Sequence, residues 1–172
     1  MTIRFAIGIL VSFATPVFAR PPSYEVVTTR TDGGSRAEVR FTDSARSTVD
    51  LLERNEAGLT WLPTFLVSPD RRWILCLQKT GSGENEAWLY RVDDAGRVFR
   101  LEQRLDRLAW NDSDRVSSLK FADLYHTGIS DVIWTSHGTL AFTLRGSDAK
   151  KSGSGLALRL EYDLAKGTIA KP

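Results

Sequence analysis

The chain has almost none of the residues that staple or ligate. Its 172 residues hold one cysteine, one methionine and two histidines. A single thiol excludes a disulfide-framed miniprotein, and no Cys/His/carboxylate spacing makes a local metal centre. No Lys/Arg run exceeds two residues, and 23 basic residues interleave with 21 acidic ones. Without a basic track there is no counterion-releasing surface for phosphates, which argues against nucleic acid or an anionic membrane as partner. Beyond residue 19 no uncharged stretch approaches membrane length. What remains, 42% hydrophobic and 26% charged, is the composition of an ordinary globular domain.

One apolar run does exist, at the start. Arg4 precedes 15 uncharged residues, 5–19, which end in Val17-Phe18-Ala19 with small residues at the −3 and −1 positions of a cut. This is the three-part pattern of a secretory signal peptide, and the run is too short to span a bilayer. The reading is therefore residues 1–19 as signal peptide and 20–172 as a single β-repeat domain, periplasmic or secreted, with no membrane association after cleavage. Cys76 sits in the most apolar run of the remainder, Trp73-Ile74-Leu75-Cys76-Leu77. It reads as a buried, inert thiol rather than a nucleophile.

The rest alternates strand-forming residues with Gly, Asp, Asn and Ser turns, and it repeats itself. Residues 65–101 give four short strands: Phe65-Leu66-Val67-Ser68, Trp73 through Gln78, Ala87-Trp88-Leu89-Tyr90-Arg91-Val92, and Arg97-Val98-Phe99-Arg100-Leu101. Residues 132–169 repeat the plan, with Leu158, Leu160 and Tyr162 matching Trp88, Tyr90 and Val92 on one face and Asp163 matching Asp93. A weaker first copy has strands near 24–29, 38–41 and 48–52, its apolar face (Val39, Phe41) slipped by one residue. The class is all-β, as antiparallel four-stranded meanders. Leu75, Leu77, Leu89, Val92, Phe142 and Leu160 are the expected core, with Trp73, Trp88 and Trp134 between sheets. An insertion at 102–130 is expected to hold one short helix over 114–125, capped by Asp112 or Asp114.

Ser68-Pro69-Asp70-Arg71-Arg72-Trp73, followed by Trp88-Leu89-Tyr90-Arg91-Val92 and Asp94-Ala95-Gly96, resembles a blade of the TolB-type, WD-repeat-like β-propellers. Residues 132–169 follow that blade in outline. Arg71 stands where the family has Gly. The resemblance implies β-blade architecture and carries over no catalytic residue. Propellers close with about four to eight blades, so two or three copies imply a partial propeller, a sandwich, or a ring closed by oligomerisation.

Alternating strand direction places 79–86, 145–155 and the insertion at one edge, where binding residues gather. The candidate binding set is Trp110, Asp123, Tyr125, His126, Lys79 and Glu84, with Trp61 also in a connection on that edge. The first functional reading is an exported non-catalytic protein binding a protein or glycan partner there, without cofactor or metal. The alternatives are a small hydrolase using His126 with Asp123 or Asp131, and a structural piece completing a propeller with another chain. Lys79-Thr80-Gly81-Ser82-Gly83 lacks the order of a phosphate loop. Gly153-Ser154-Gly155 is not a nucleophile elbow.

Overall fold

The computed structural model describes residues 22–31, 34–42, 49–51, 61–113, 120–135 and 138–170. The expected signal peptide, the tip of the first hairpin, His137 and Asp114 lie outside them.

Three antiparallel sheets form in chain order. The first contains β1 (Tyr24–Thr31), β2 (Gly34–Phe41) and β3 (Val49–Asp50). The second is a four-stranded meander of β4 (Thr64–Val67), β5 (Trp73–Gly81), β6 (Glu84–Val92) and β7 (Val98–Arg100). The third repeats it with β8 (Leu124–Trp134), β9 (Thr139–Asp148), β10 (Gly155–Asp163) and β11 (Thr168–Ala170). The second sheet falls where the repeat places it, whereas the third begins at Leu124, inside the expected 102–130 insertion, and matches the repeat from β9 onward.

The sheets stack face to face with the second in the middle, and strand periodicity sorts its side chains. Leu75, Ala87 and Leu89 join Ile129, Leu140, Phe142, Leu144, Leu160 and Tyr162 of the third sheet in one core. Ile74, Cys76, Tyr90 and Val92 join Tyr24, Ala37, Val39 and Leu51 of the first sheet in another. Burial on both faces is why 73–77 is continuously apolar. The slipped first copy has its own reason: Ala37 and Val39 occupy the positions of Ala87 and Leu89, which face the next sheet, and among the described residues that is the face the first sheet buries.

The outer face of the first sheet is charged, while that of the third mixes polar residues with Ala141 and the 56% exposed Ile133. On the first sheet Glu38 pairs with Arg40 at 2.5 Å and Arg36 at 3.4 Å. On the third, Thr143 opposes Arg159 and Ala141 opposes Glu161. Of the expected core, Leu75, Leu89, Val92, Phe142 and Leu160 are at most 1% exposed. Leu77 is only half-buried. Trp73 and Trp134 pack partly buried against the first core, Trp88 against the second.

The turn that joins β4 to β5 accounts for its sequence. Ser68 Oγ accepts from Trp73 N at 2.9 Å and donates to Asp70, which also accepts from Arg72 N at 3.1 Å. Arg71 takes the left-handed backbone (φ 59°) that glycine would adopt without strain. Its side chain donates to the Pro22 carbonyl at 3.0 Å and lies 4.6 Å over the Tyr24 ring, whose hydroxyl donates back to the Arg71 carbonyl. Arg71 therefore ties the first sheet to the second.

The helix is present but displaced. It spans Leu105–Ser113 (α1), ahead of the expected 114–125 segment. Leu105, Ala109 and Trp110 are buried on its inner face, at the i, i+4 spacing of an apolar stripe. No Ser, Thr, Asp or Asn directly precedes Leu105 to signal a start, and Asp112 lies inside the helix rather than capping a new one; residues 114–119 of the expected segment lie outside the described residues. Asp106 accepts from Ala87 N at 3.0 Å, where β7 no longer covers β6. Past a single 3₁₀ turn at Phe121–Asp123, the chain enters β8 where a helix end was expected. Two register shifts in β8, between Tyr125 and Gly128 and between Ser130 and Ile133, break the alternation that marks a strand. His126 (φ 52°) and Asp131 (φ 50°) sit at those bulges in the left-handed region.

Candidate functional site

A cleft of about 460 Å³ lies beside the β5–β6 hairpin, walled mainly by the second sheet and the segment leading into it, with Arg145 contributed by the third. Leu77 and Thr64, a cross-strand pair, lie on its β5–β4 side. Lys79, Gly83, Glu84 and Asn85 line it from the hairpin, Arg145 from β9, and Trp61 and Leu62 from the segment entering β4. Lining this cleft is what keeps Leu77 half-exposed.

Each wall is fixed from behind. The Asn85 side chain donates to the Ile129 carbonyl and accepts from Ile129 N, both at 2.9 Å. An amide can pair with a strand this way because it carries a donor and an acceptor side by side. It covers part of the free edge of β8. Gly128 permits the approach, since a Cβ there would lie 2.7 Å from the Asn85 oxygen. The hairpin tip rests on the third sheet. Arg145 Nη1 donates to the Gly83 carbonyl at 3.1 Å. A Cβ on Gly83 (φ 77°) would meet His126 Cβ at 3.1 Å.

At the mouth, Trp61 and Leu62 are 38% and 47% exposed. The Trp61 carbonyl accepts from Gln78 Nε2 at 3.2 Å, and Lys79 Nζ sits 4.8 Å from the ring centroid. That cation–π contact holds the lysine over one face of the indole. Among the described residues, Lys79, Glu84 and Arg145 form no ion pair within 4.0 Å.

The sequence-derived candidates divide accordingly. Lys79 and Glu84 line the cleft. His126 borders it from behind Gly83, with the exposed Tyr125 ring 4.4 Å from its own. Asp123 is ion-paired with Lys150 at 2.9 Å, and that bond holds its carboxyl below the ordinary range. Trp110 does not face outward: it is 3% exposed, packed 5.1 Å from Phe121 over the core, because α1 starts earlier than expected and turns it inward. Arg145, Asn85 and Leu62 were not singled out from the sequence. Asn85 is the cross-strand partner of Lys79 in the β5–β6 hairpin, whereas only the stacking of sheets brings Arg145 to the same cleft.

The carboxylates expected to orient His126 have other partners. Asp131 accepts from Thr143 and Ser130, which together pull its pKa down, and its carbonyl accepts from Arg159. Asp123 holds Lys150. Neither is bonded to the imidazole, so neither orients His126 as a general base needs. Among the described residues no group of three His, Cys, Asp or Glu side chains is placed to hold a metal, and no helix is long and apolar enough to cross a membrane. Compared with known proteins, the chain matches no family model, no curated sequence and no solved structure.

Proposed function

We propose that this chain is an exported binding protein that engages a protein or glycan partner through the cleft beside its β5–β6 hairpin. The observation that carries this is the pairing of an exposed aromatic with charges that form no ion pair among the described residues: Trp61 and Leu62 at the mouth, Lys79, Glu84 and Arg145 around them. An apolar surface with a few convergent polar groups is the usual make-up of a binding site. Its walls are held by Asn85, Gly128 and His126, so the cleft is formed before anything enters it, which lowers the cost of binding.

The chemistry supports binding over hydrolysis, because His126 serves as a backstop to the hairpin. The charged outer face of the first sheet speaks against completing a propeller with another chain through it, which calls for an apolar face to share. The stacked meanders favour the blade-like reading of the repeat.

The test is selection of ligands from peptide and glycan libraries by the chain from Arg20 onward, with Trp61→Ala as the control. Trp61→Ala should lose the selected ligands while stability changes by less than about 1 kcal/mol, as for a surface substitution. Equal selection by both proteins would place the binding surface elsewhere. Export has its own measurement: protein recovered from the cell envelope or medium should begin at Arg20, and retention of Met1 would overturn it.

A further inference from the structure

Resting on the reading above, we infer that the partner presents an acidic peptide segment, a carboxylate side chain beside an apolar one, to the cleft. The cleft lining carries two cations from different sheets, Lys79 on β5 and Arg145 on β9, against the single lining carboxylate of Glu84, with Asp131 outside the lining also within reach of the Arg145 charge. A carboxylate entering between them meets charge from both sides. The Arg145 guanidinium uses Nη1 on the Gly83 carbonyl, and its remaining donors suit the planar acceptor geometry of a carboxylate. Lys79 is already drawn over the Trp61 ring, so its ammonium is positioned without a salt bridge to break.

The same contact disfavours a sugar. Stacking a pyranose needs an open aromatic face, and Lys79 occupies one face of Trp61. The other apolar groups, Leu62 and Leu77, are aliphatic. They suit a leucine- or valine-sized side chain next to the acid.

The experiment follows backbone amide NMR shifts as a blocked pentapeptide alternating glutamate and leucine is added. Parallel titrations use its lysine–leucine counterpart and an oligogalacturonate. The acidic peptide should shift the amides of Lys79 and Gly83, and its affinity should fall with salt. Lys79→Glu, a change at an exposed side chain, should weaken it roughly tenfold, as reversing a rim charge does to a complementary ligand. Arg145→Lys, which keeps the charge but not the fork, should weaken it less. Equal or tighter binding of the lysine peptide, acidic-peptide binding untouched by Lys79→Glu, or no binding of the acidic peptide each overturns the inference. Preference for the oligogalacturonate at the same amides overturns the peptide while leaving partner binding at the cleft intact.

Discussion

Single residues show how one position answers to several constraints. Cys76 is fully buried between the first two sheets, and burial pushes its thiol pKa up to about 12. The thiolate is the reactive species, so an alkylating reagent near pH 8 should leave native protein unlabelled and label it once denaturant opens the fold. Fast labelling under native conditions would contradict this packing. Asp93 and Asp163, matched in the repeat, do matched work. Asp93 accepts from Arg97 N at 2.8 Å, and Asp163 from Ala165 N and Lys166 N. The Arg97 backbone bond depresses the first carboxyl, and the Lys166 side chain chiefly depresses the second. A depressed folded pKa contributes stability that is present above the unfolded value and lost as pH falls through the folded one. The melting temperature should therefore decline on acidification below the ordinary carboxylate range. Asp93→Asn should flatten part of that decline, and an unchanged acid profile would remove the turn from the account.

At the scale of elements, legibility followed regularity. The strands from β4 to β7 and from β9 to β11 were readable because their apolar residues alternate or, in 73–77, run continuously between turns that carry Gly, Pro and Asp. β8 was not, because left-handed residues at His126 and Asp131 reset the alternation twice in eleven residues. The helix was seen but misplaced, since Asp112 and Asp114 look like caps while its true start has none. Of the site, Lys79, Glu84 and Trp61 were legible as polar or aromatic residues on one edge. Arg145 was not, because its place beside the hairpin comes from a contact between sheets, and Asn85, though opposite Lys79 in the hairpin, gains its role only through Ile129 of the next sheet. The displaced helix changes the expectation for Trp110. With its ring buried against Phe121, Trp110→Ala should cost about 3–5 kcal/mol, the range for large aromatic truncations in a core. Chemical denaturation measures this directly, and a loss under 1 kcal/mol would return Trp110 to the surface. Asp106→Ala should also destabilise, because it strands Ala87 N and leaves Arg104 with Glu86 as its acidic partner.

The whole molecule is a three-layer stack in which one sheet belongs to two cores, and this decides how it should unfold. Ile74 and Leu75 are neighbours in sequence, both fully buried, yet they face opposite partners. Each truncation to Ala should cost about 2–5 kcal/mol, a large part of the 5–15 kcal/mol that holds a domain folded. Loss on one face loosens strands that the other face also needs. Arg71 adds a tie across the first interface, from β4–β5 to Pro22 and Tyr24. Asn85 adds one across the second, to β8. With both interfaces sharing β5 and β6, the stack should melt in a single cooperative transition. Ile74→Ala and Leu75→Ala should lower the same midpoint by fluorescence and by far-ultraviolet dichroism. If Ile74→Ala instead splits the transition, releasing the first sheet while the other two persist, the first sheet is an appendage. In that case the cleft beside the β5–β6 hairpin should survive the first loss and still bind.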